Sequence, residues 1–356
     1  MLWWGDNSLL SLRREPVLLP QTALPALSVL YAARHAPVVE TGPVVKRDDG
    51  AYPDYHREIY DRLLDLGLHV TATNDVAAVD ALIPRHDYVF SLFNRIGFEG
   101  GEIFVSALCE YHGVPFMGGS PHLRAVAEDK HLAKLLVRDA GIPTPSWRAY
   151  RAGEMPDSQA PFDGPFMVKP RYGAGSENIA ADSRLDTWSD VCAKIRELSD
   201  LGVSALVESY VDGWNLTVPV LGGENTCVLP SVKTSVTESD QILTHAHKLA
   251  HTQPVQFEVV DPEPTWARQA RQLGTFLMRV QPFDYLRVDY RVDRATSIPY
   301  FLEFNVCCDI SSAGSLMASA RHAGLSHLEV LAHVVSYSWQ RQARQATTYS
   351  ARSPMA

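Results

Sequence analysis

Two stretches near the end of the sequence carry the residues best suited to chemistry. In the first, Tyr285 to Asp293, strand side chains alternating with period two place Arg287, Asp289 and Arg291 on one face. Leu286, Val288, Tyr290 and Val292 fall on the other. In the second, Tyr300 to Asn305, Glu303 and Asn305 share a face while Leu302 and Phe304 turn away. Folding the pair into a hairpin about Thr296 sets Asp289 opposite Glu303 and Arg287 opposite Asn305, with cross-strand Cβ atoms about 4.5–5.5 Å apart. Two carboxylates and an amide oxygen then converge. Hard oxygen donors of this kind suit one or two Mg²⁺ ions held together with phosphate and water, with Mn²⁺ a chemical alternative. A hairpin with a merely solvated polar face would show the same alternation.

A second constellation begins at Pro165, where a short apolar strand delivers Lys169 to its end and a loop with Gly173, Gly175 and Ser176 follows. Glycines let backbone N–H groups turn inward around an anion, and lysine adds a compact charge for phosphate. The lysine precedes the glycines, so this is not a P-loop. An ordinary surface turn would look similar. Glu128-Asp129-Lys130 opens a helix, with Lys134 one turn on. A helix N-terminus disfavours cations, which gives a lysine there a lean towards function over simple solvation. Ala205 to Gly213 is a strand running into a turn. It could offer backbone groups to a flat ring and Glu208 to an amino group, or be a plain edge strand. His245, His247 and His251 lack the spacing of a zinc site and read as solvated loop histidines.

These residues need elements to hold them. Strands are expected at 26–32, 68–73, 87–92, 165–169, 204–210 and 216–221, and helices at 55–66, 101–111, 129–139, 186–198 and 266–280. The alternating opening third predicts a small parallel α/β layer. Gly118-Gly119-Ser120-Pro121 reads as a seam, 150–164 as a surface loop, 233–265 as an irregular polar loop beside the site, and the residues from 342 onward as a frayed tail. The expected division is 1–121, 122–211, 212–341 and a tail 342–356. With 356 residues, several modest domains are favoured over one core.

Composition narrows the class. A net charge of −9, with basic residues dispersed, leaves no field to attract a nucleic-acid backbone. The five cysteines show no metal-ligand spacing and read as reduced thiols. Arg13-Arg14 followed by the uncharged run 16–33 superficially resembles a signal peptide, but Pro20, Pro25 and Gln21 break it. No membrane span is expected, and the expected location is cytoplasmic.

The helix lysine, the strand lysine with its glycine loop, the strand-to-turn glutamate and the Asp/Glu/Asn hairpin occur in one order. That order resembles the ATP-grasp ligases, specifically the D-alanine–D-alanine ligase branch, from about Ser91 to Val335. Phe93-Asn94 with Gly100-Gly101-Glu102, Gly113-Val114-Pro115-Phe116-Met117-Gly118-Gly119, Gly141-Ile142-Pro143-Thr144-Pro145, Arg287-Val288-Asp289 and Leu302-Glu303-Phe304-Asn305 carry it. The resemblance implies an α/β (α+β) three-domain ATP-grasp fold, with an N-terminal parallel α/β layer and two α+β lobes sandwiching ATP. It implies that Lys130 and Lys169 hold ATP phosphates under a closing loop containing Gly173, Gly175 and Ser176. Glu208, Tyr210 and Val211 would bind adenine. Asp289, Glu303 and Asn305 would hold Mg²⁺, Arg287 would stabilise the transferring phosphoryl group, and Lys248 would reach the γ-phosphate. A homodimer follows by analogy.

Departures are concentrated on the amino-acid side. The family's Asn-Thr-x-Pro-Gly run here reads Asn305-Val306-Cys307-Cys308-Asp309, with a residue inserted before Ser315. A loop serine stands as Gly175, the tyrosine after the loop lysine as Leu249, and a ribose-binding glutamate as Asn215. The family's N-terminal glutamate has no counterpart near residues 1–20. The expectation is therefore an ATP-dependent carboxylate–amine ligase acting through an acyl phosphate on two amino-acid-like substrates, a dipeptide ligase of specialised metabolism. Asp309, Ser312 and Ser315 are candidates for the acceptor side. The alternatives are an authentic D-alanine–D-alanine ligase and a catalytically silent ATP-binding module.

Overall fold

The structure, a computed structural model, describes residues 18, 24–38, 52–94, 96, 98–173, 183–223, 226–235, 255–260 and 265–350. Strands β1 (Ser28–Ala32), β2 (His69–Thr73) and β3 (Tyr88–Ser91) form a parallel sheet in the order β2-β1-β3. The apolar runs of β1 and β3 are explained by cover on both faces. Val29, Tyr31, Tyr88 and Phe90 pack with Ile59 and Leu63 of helix Tyr52–Asp65. Leu30, Ala32 and Val89 pack with Val105 and Cys109 of helix Phe104–His112, which stops at Gly113 in the left-handed region (φ 68°).

The expected seam at 118–121 instead starts a helix, Pro121–Glu128. The Ser120 hydroxyl accepts from the Leu123 N–H at 3.3 Å, and Pro121 takes the first turn, where its missing N–H costs nothing. Asp129 then caps helix Lys130–Asp139.

A second, antiparallel sheet has the order β4-β7-β5-β6, from β4 (Trp147–Tyr150), β5 (Phe166–Pro170), β6 (Arg184–Leu185) and β7 (Ala205–Ser209). Helix Trp188–Asp200 closes its core with Val191, Ile195 and Leu198. The third sheet has the order β11-β10-β8-β12-β13, with β9 paired to β8. Its members are β8 (Gly213–Leu221), β9 (Cys227–Val228), β10 (Ser231–Ser235), β11 (Gln256–Val260), β12 (Tyr285–Asp293) and β13 (Pro299–Asn305). Leu273 and Leu277 of helix Thr265–Val280 meet Leu216, Val218, Val220, Leu286 and Val288 beneath it.

Three expectations change. The polar stretch 233–265 is not wholly irregular, because β10 and β11 occupy part of it; positions 236–254 and 261–264, with Lys248, Leu249 and the three histidines, lie outside the described residues. The tail does not begin at 342, because helix His327–Ser350 runs through it. Gln342 exchanges hydrogen bonds with the Phe116 backbone at 3.1 and 2.5 Å, so its polarity serves a strand edge rather than solvent. Finally, the core of the first sheet is continuous with Leu221, Tyr285, Cys307, Leu316 and Val330–Val335. Position 121 therefore does not divide one core from another.

Candidate active site

The hairpin of β12 and β13 pairs Arg287 with Asn305 and Asp289 with Glu303. A register shift follows between Asp289 and Tyr290, so Tyr290 pairs with Phe301. This bulge corrects one detail: Phe301, not Leu302, joins Phe304 in the core. The polar set keeps its common face. Asn305 Nδ2 donates to Asp289 Oδ2 at 3.2 Å, and Thr217 Oγ1 on β8 donates to Asp289 Oδ1 at 2.9 Å. Arg287 meets the same carboxylate through Nε at 2.9 and 3.1 Å and Nη2 at 2.8 Å. Burial opposes the guanidinium charge, but Asp289 more than restores it, leaving Arg287 more firmly protonated than a free arginine.

Lys130 arrives from the opposite side. Its Nζ lies 3.7 Å from Glu303 Oε2 and donates to the Gly173 carbonyl at 2.5 Å. Burial lowers its pKa, with Glu303 pulling the other way. Asp129 fixes it there. The Asp129 carboxylate caps the helix by accepting from the His131 N–H at 2.9 Å, and it also takes Arg171 Nε at 2.9 Å and Nη2 at 2.6 Å. Helix N-terminus and glycine loop are thereby locked together, and Gly173 itself needs its left-handed φ of 81°.

Lys134 is not a solvated lysine. It is fully buried, with Nζ 2.7 Å from Glu208 Oε1 and donating to Thr144 Oγ1 at 2.7 Å. Burial, only partly countered by Glu208, brings its pKa down to about 8. Lys169 approaches the other oxygen of Glu208 at 2.9 Å. Burial alone would raise the Glu208 pKa, yet the two lysines hold it below the ordinary carboxylate range. Glu208 thus spends both oxygens on lysines, and any contact it makes with a base is additional to that.

Beyond the hairpin's polar set, Arg291 lies opposite Asn215 on β8. It donates to Asn215 Oδ1 at 2.9 Å, to the Val211 carbonyl at 3.2 Å and to the Tyr210 hydroxyl at 3.2 Å. On the far side of Asn305, the Asp309 carboxylate accepts from the Ser311 N–H at 2.8 Å. The Ser312 N–H meets Glu58 at 3.2 Å, and Ser315 opens helix Ser315–His322. Gly175 and Ser176 lie outside the described residues. Sequence reasoning missed Thr217 and the Asp129–Arg171 clamp, and it placed Arg291 on the polar face without its partners. Only the helix-capping aspartate had a local signal.

Among the described residues no group of three or more His, Cys, Asp or Glu side chains gathers as a metal site; the hairpin set is two carboxylates and an amide. None of the described helices is long and apolar enough to cross a membrane.

Solved structures share the fold. The D-alanine–D-alanine ligase of Bacillus anthracis complexed with ATP superposes with a TM-score of 0.70 at 18% identity, covering 90% of this chain and 100% of that one. The enzyme from Coxiella burnetii gives 0.66 at 14%, covering 92% and 97%. Fold and site together define an ATP-grasp protein, with two antiparallel sheets facing each other across lysines, carboxylates and an arginine. The family model "D-ala D-ala ligase C-terminus" matches residues 136–336, more than half the sequence. The chain belongs to this family of ATP-dependent, ADP-forming carboxylate–amine ligases. It is 31% identical over 265 residues to the uncharacterized protein y4sG of Sinorhizobium fredii, spanning 74% of this chain and 77% of that one. It is 28% identical over 261 residues to a D-alanine–D-alanine ligase of a Janthinobacterium species, spanning 70% and 78%.

Proposed function

We propose that the chain joins two amino-acid-like substrates, and that its second substrate is not D-alanine: a dipeptide-forming ligase of specialised metabolism. A carboxylate oxygen of the first substrate attacks the γ-phosphorus of ATP and ADP leaves. The amine of the second then attacks the acyl carbon, expelling phosphate and losing a proton. The observation that carries this is the common face of Asp289, Glu303, Asn305 and Arg287 with Lys130 set against it.

The donor set fits a divalent cation, since two half-buried carboxylates and an amide share one face and now draw on N–H, O–H and cationic partners. Asp289, Glu303 and Asn305 would hold it, and it would screen charge between the phosphoryl oxygens. Phosphoryl transfer asks the protein for position and charge rather than covalent help. Lys130 and Lys169 supply fixed cations for phosphate, Glu208 holds the β5 lysine in place, and Arg287 faces the transferring group. The loop through Gly173, Gly175 and Ser176 would keep water from the acyl phosphate, and Lys248 would reach the γ-phosphate.

The substrate assignment rests on the rebuilt run Asn305-Val306-Cys307-Cys308-Asp309 and on Gly175 and Leu249, where the family's amino-acid contacts are replaced. Asp309, Ser312 and Ser315 stand on the connection that leaves Asn305 and would face the acceptor. A second reading, ligation of two D-alanines, is favoured by the names of relatives such as the Janthinobacterium enzyme. ADP release with ATP, Mg²⁺ and a panel of amino acids taken pairwise separates them. Turnover confined to mixed pairs supports the proposal. Robust turnover with D-alanine alone establishes the second reading, and silence with every pair overturns both.

A further inference from the structure

Residues 306–314, which leave Asn305 and reach helix Ser315–His322, form neither strand nor helix. Their backbone groups must therefore find partners elsewhere, and side chains supply several of them. The Tyr285 hydroxyl donates to the Cys308 carbonyl at 3.2 Å. The Ile310 N–H donates to the Tyr55 hydroxyl at 3.4 Å, and the Ile310 carbonyl lies 2.8 Å from His327 Nε2. The Ser312 N–H faces both oxygens of Glu58, at 3.2 and 3.3 Å, and the Ser312 carbonyl accepts from Arg321. Tyr285 stands two residues before Arg287 on β12, whereas Tyr55 and Glu58 stand on helix Tyr52–Asp65 against the first sheet. The connection is hung between the strand that carries Arg287 and a helix of a different layer.

We propose that Glu58 is a positioning residue for the acceptor, holding the far end of this connection so that Asp309 and Ser312 meet the amine substrate. Ile310 is buried while Asp309 and Ser312 are exposed, so the fastened backbone decides where those two side chains stand. A carboxylate accepts from an N–H more strongly than a neutral oxygen does. Glu58 Oε1 also lies 3.3 Å from His327 Nδ1, and the same ring meets the Ile310 carbonyl. One side chain thus bears on two of the fixed backbone groups. Asp289, Glu303 and Asn305 stand on β12 and β13, which are held by each other and by β8. Removing Glu58 therefore loosens the acceptor end of the connection and leaves the phosphate end, with Tyr285 and Arg287, as it is.

The inference rests on the proposed placing of Asp309 and Ser312 beside the acceptor, and the test separates the two. Wild type, Glu58→Ala and Glu58→Gln are compared as full-length proteins. Glu58 is half-buried on a helix, where alanine, the strongest helix former, keeps the fold. Amide hydrogen exchange is read over 306–315, and kinetics use ATP, Mg²⁺ and the most active pair of the amino-acid panel. The acceptor is the member of that pair whose ¹⁸O-labelled carboxylate gives no label to phosphate, since the donor's oxygen leaves with it. In Glu58→Ala, exchange over 306–315 and the KM for the acceptor should each rise about tenfold, with the KM for ATP unchanged. Glu58→Gln, which keeps an acceptor oxygen, should recover most of both. Unchanged exchange, or a KM for ATP that rises in step, overturns the inference alone. Faster exchange with an unchanged acceptor KM overturns the placing of the acceptor and the inference with it, while the ligase reading stands. Silence of the wild type with every pair overturns the proposed function and the role of Glu58 together.

Discussion

Asn305 donates its amide nitrogen to Asp289 Oδ2 at 3.2 Å across the hairpin. The amide oxygen is therefore turned away from the carboxylate. Arg287 and Asn305 together hold both oxygens of the Asp289 carboxylate. Asp289→Asn keeps the shape and removes the charge. ADP release at saturating Mg²⁺ should fall by about 10²–10³-fold with little change in melting temperature. Undiminished product formation would show that this face is not where the ion sits.

Thr217 tests the support of that face. Its hydroxyl bonds Asp289 Oδ1 at 2.9 Å and fixes the carboxylate plane. Thr217→Val retains the strand and loses the bond, so the Mg²⁺ concentration for half-maximal activity should rise about tenfold. An unchanged metal requirement would assign Thr217 to packing only.

Lys134 and Glu208 should behave as a buried pair. Lys134→Met leaves Glu208 with Lys169 alone and should cost about 3–5 kcal/mol in denaturant unfolding. Adding Glu208→Gln should cost less than it does in the wild type, because one of the two ion pairs it breaks is already gone. Additive losses would mean that the pair is not coupled.

Glu102 gives stability a pH dependence. Burial, reinforced by Glu128, lifts its pKa from 4.5 to about 7. The folded protein thus binds the proton more tightly than the unfolded one. The associated stability is fully present below about pH 4.5 and is lost as pH rises through 7. Between pH 5 and pH 8 the wild type should lose about 2–3 kcal/mol relative to Glu102→Gln. Parallel pH profiles of unfolding for the two proteins would refute this.

The hairpin was legible because period-two alternation and a short turn fix Asp289 against Glu303 without outside help. The bulge at its far end was not, since it takes one extra residue that no local pattern marks, and it moves Phe301 into the core in place of Leu302. Helix Pro121–Glu128 was hidden by its own start signal, because Ser-Pro after two glycines reads equally well as a turn. Lys134 looked solvated because its partner, Glu208, lies on β7 and only the tertiary fold brings the two together. Arg291 was seen on the right face of β12, but its bonds to Tyr210, Val211 and Asn215 depend on the pairing of β12 with β8. Local periodicity predicts faces; it does not predict which distant segment will share them.

The interior around Tyr150, Phe166, Val168, Ile195 and Val207 shares no residue with the other cores, whereas the first sheet and helix His327–Ser350 have an interior in common. An opening motion is therefore expected to swing β4–β7 as a jaw while the first sheet and helix His327–Ser350 remain one jawbone. Charged latches must part on the way, among them Glu208 from Lys134 and Asp129 from Arg171.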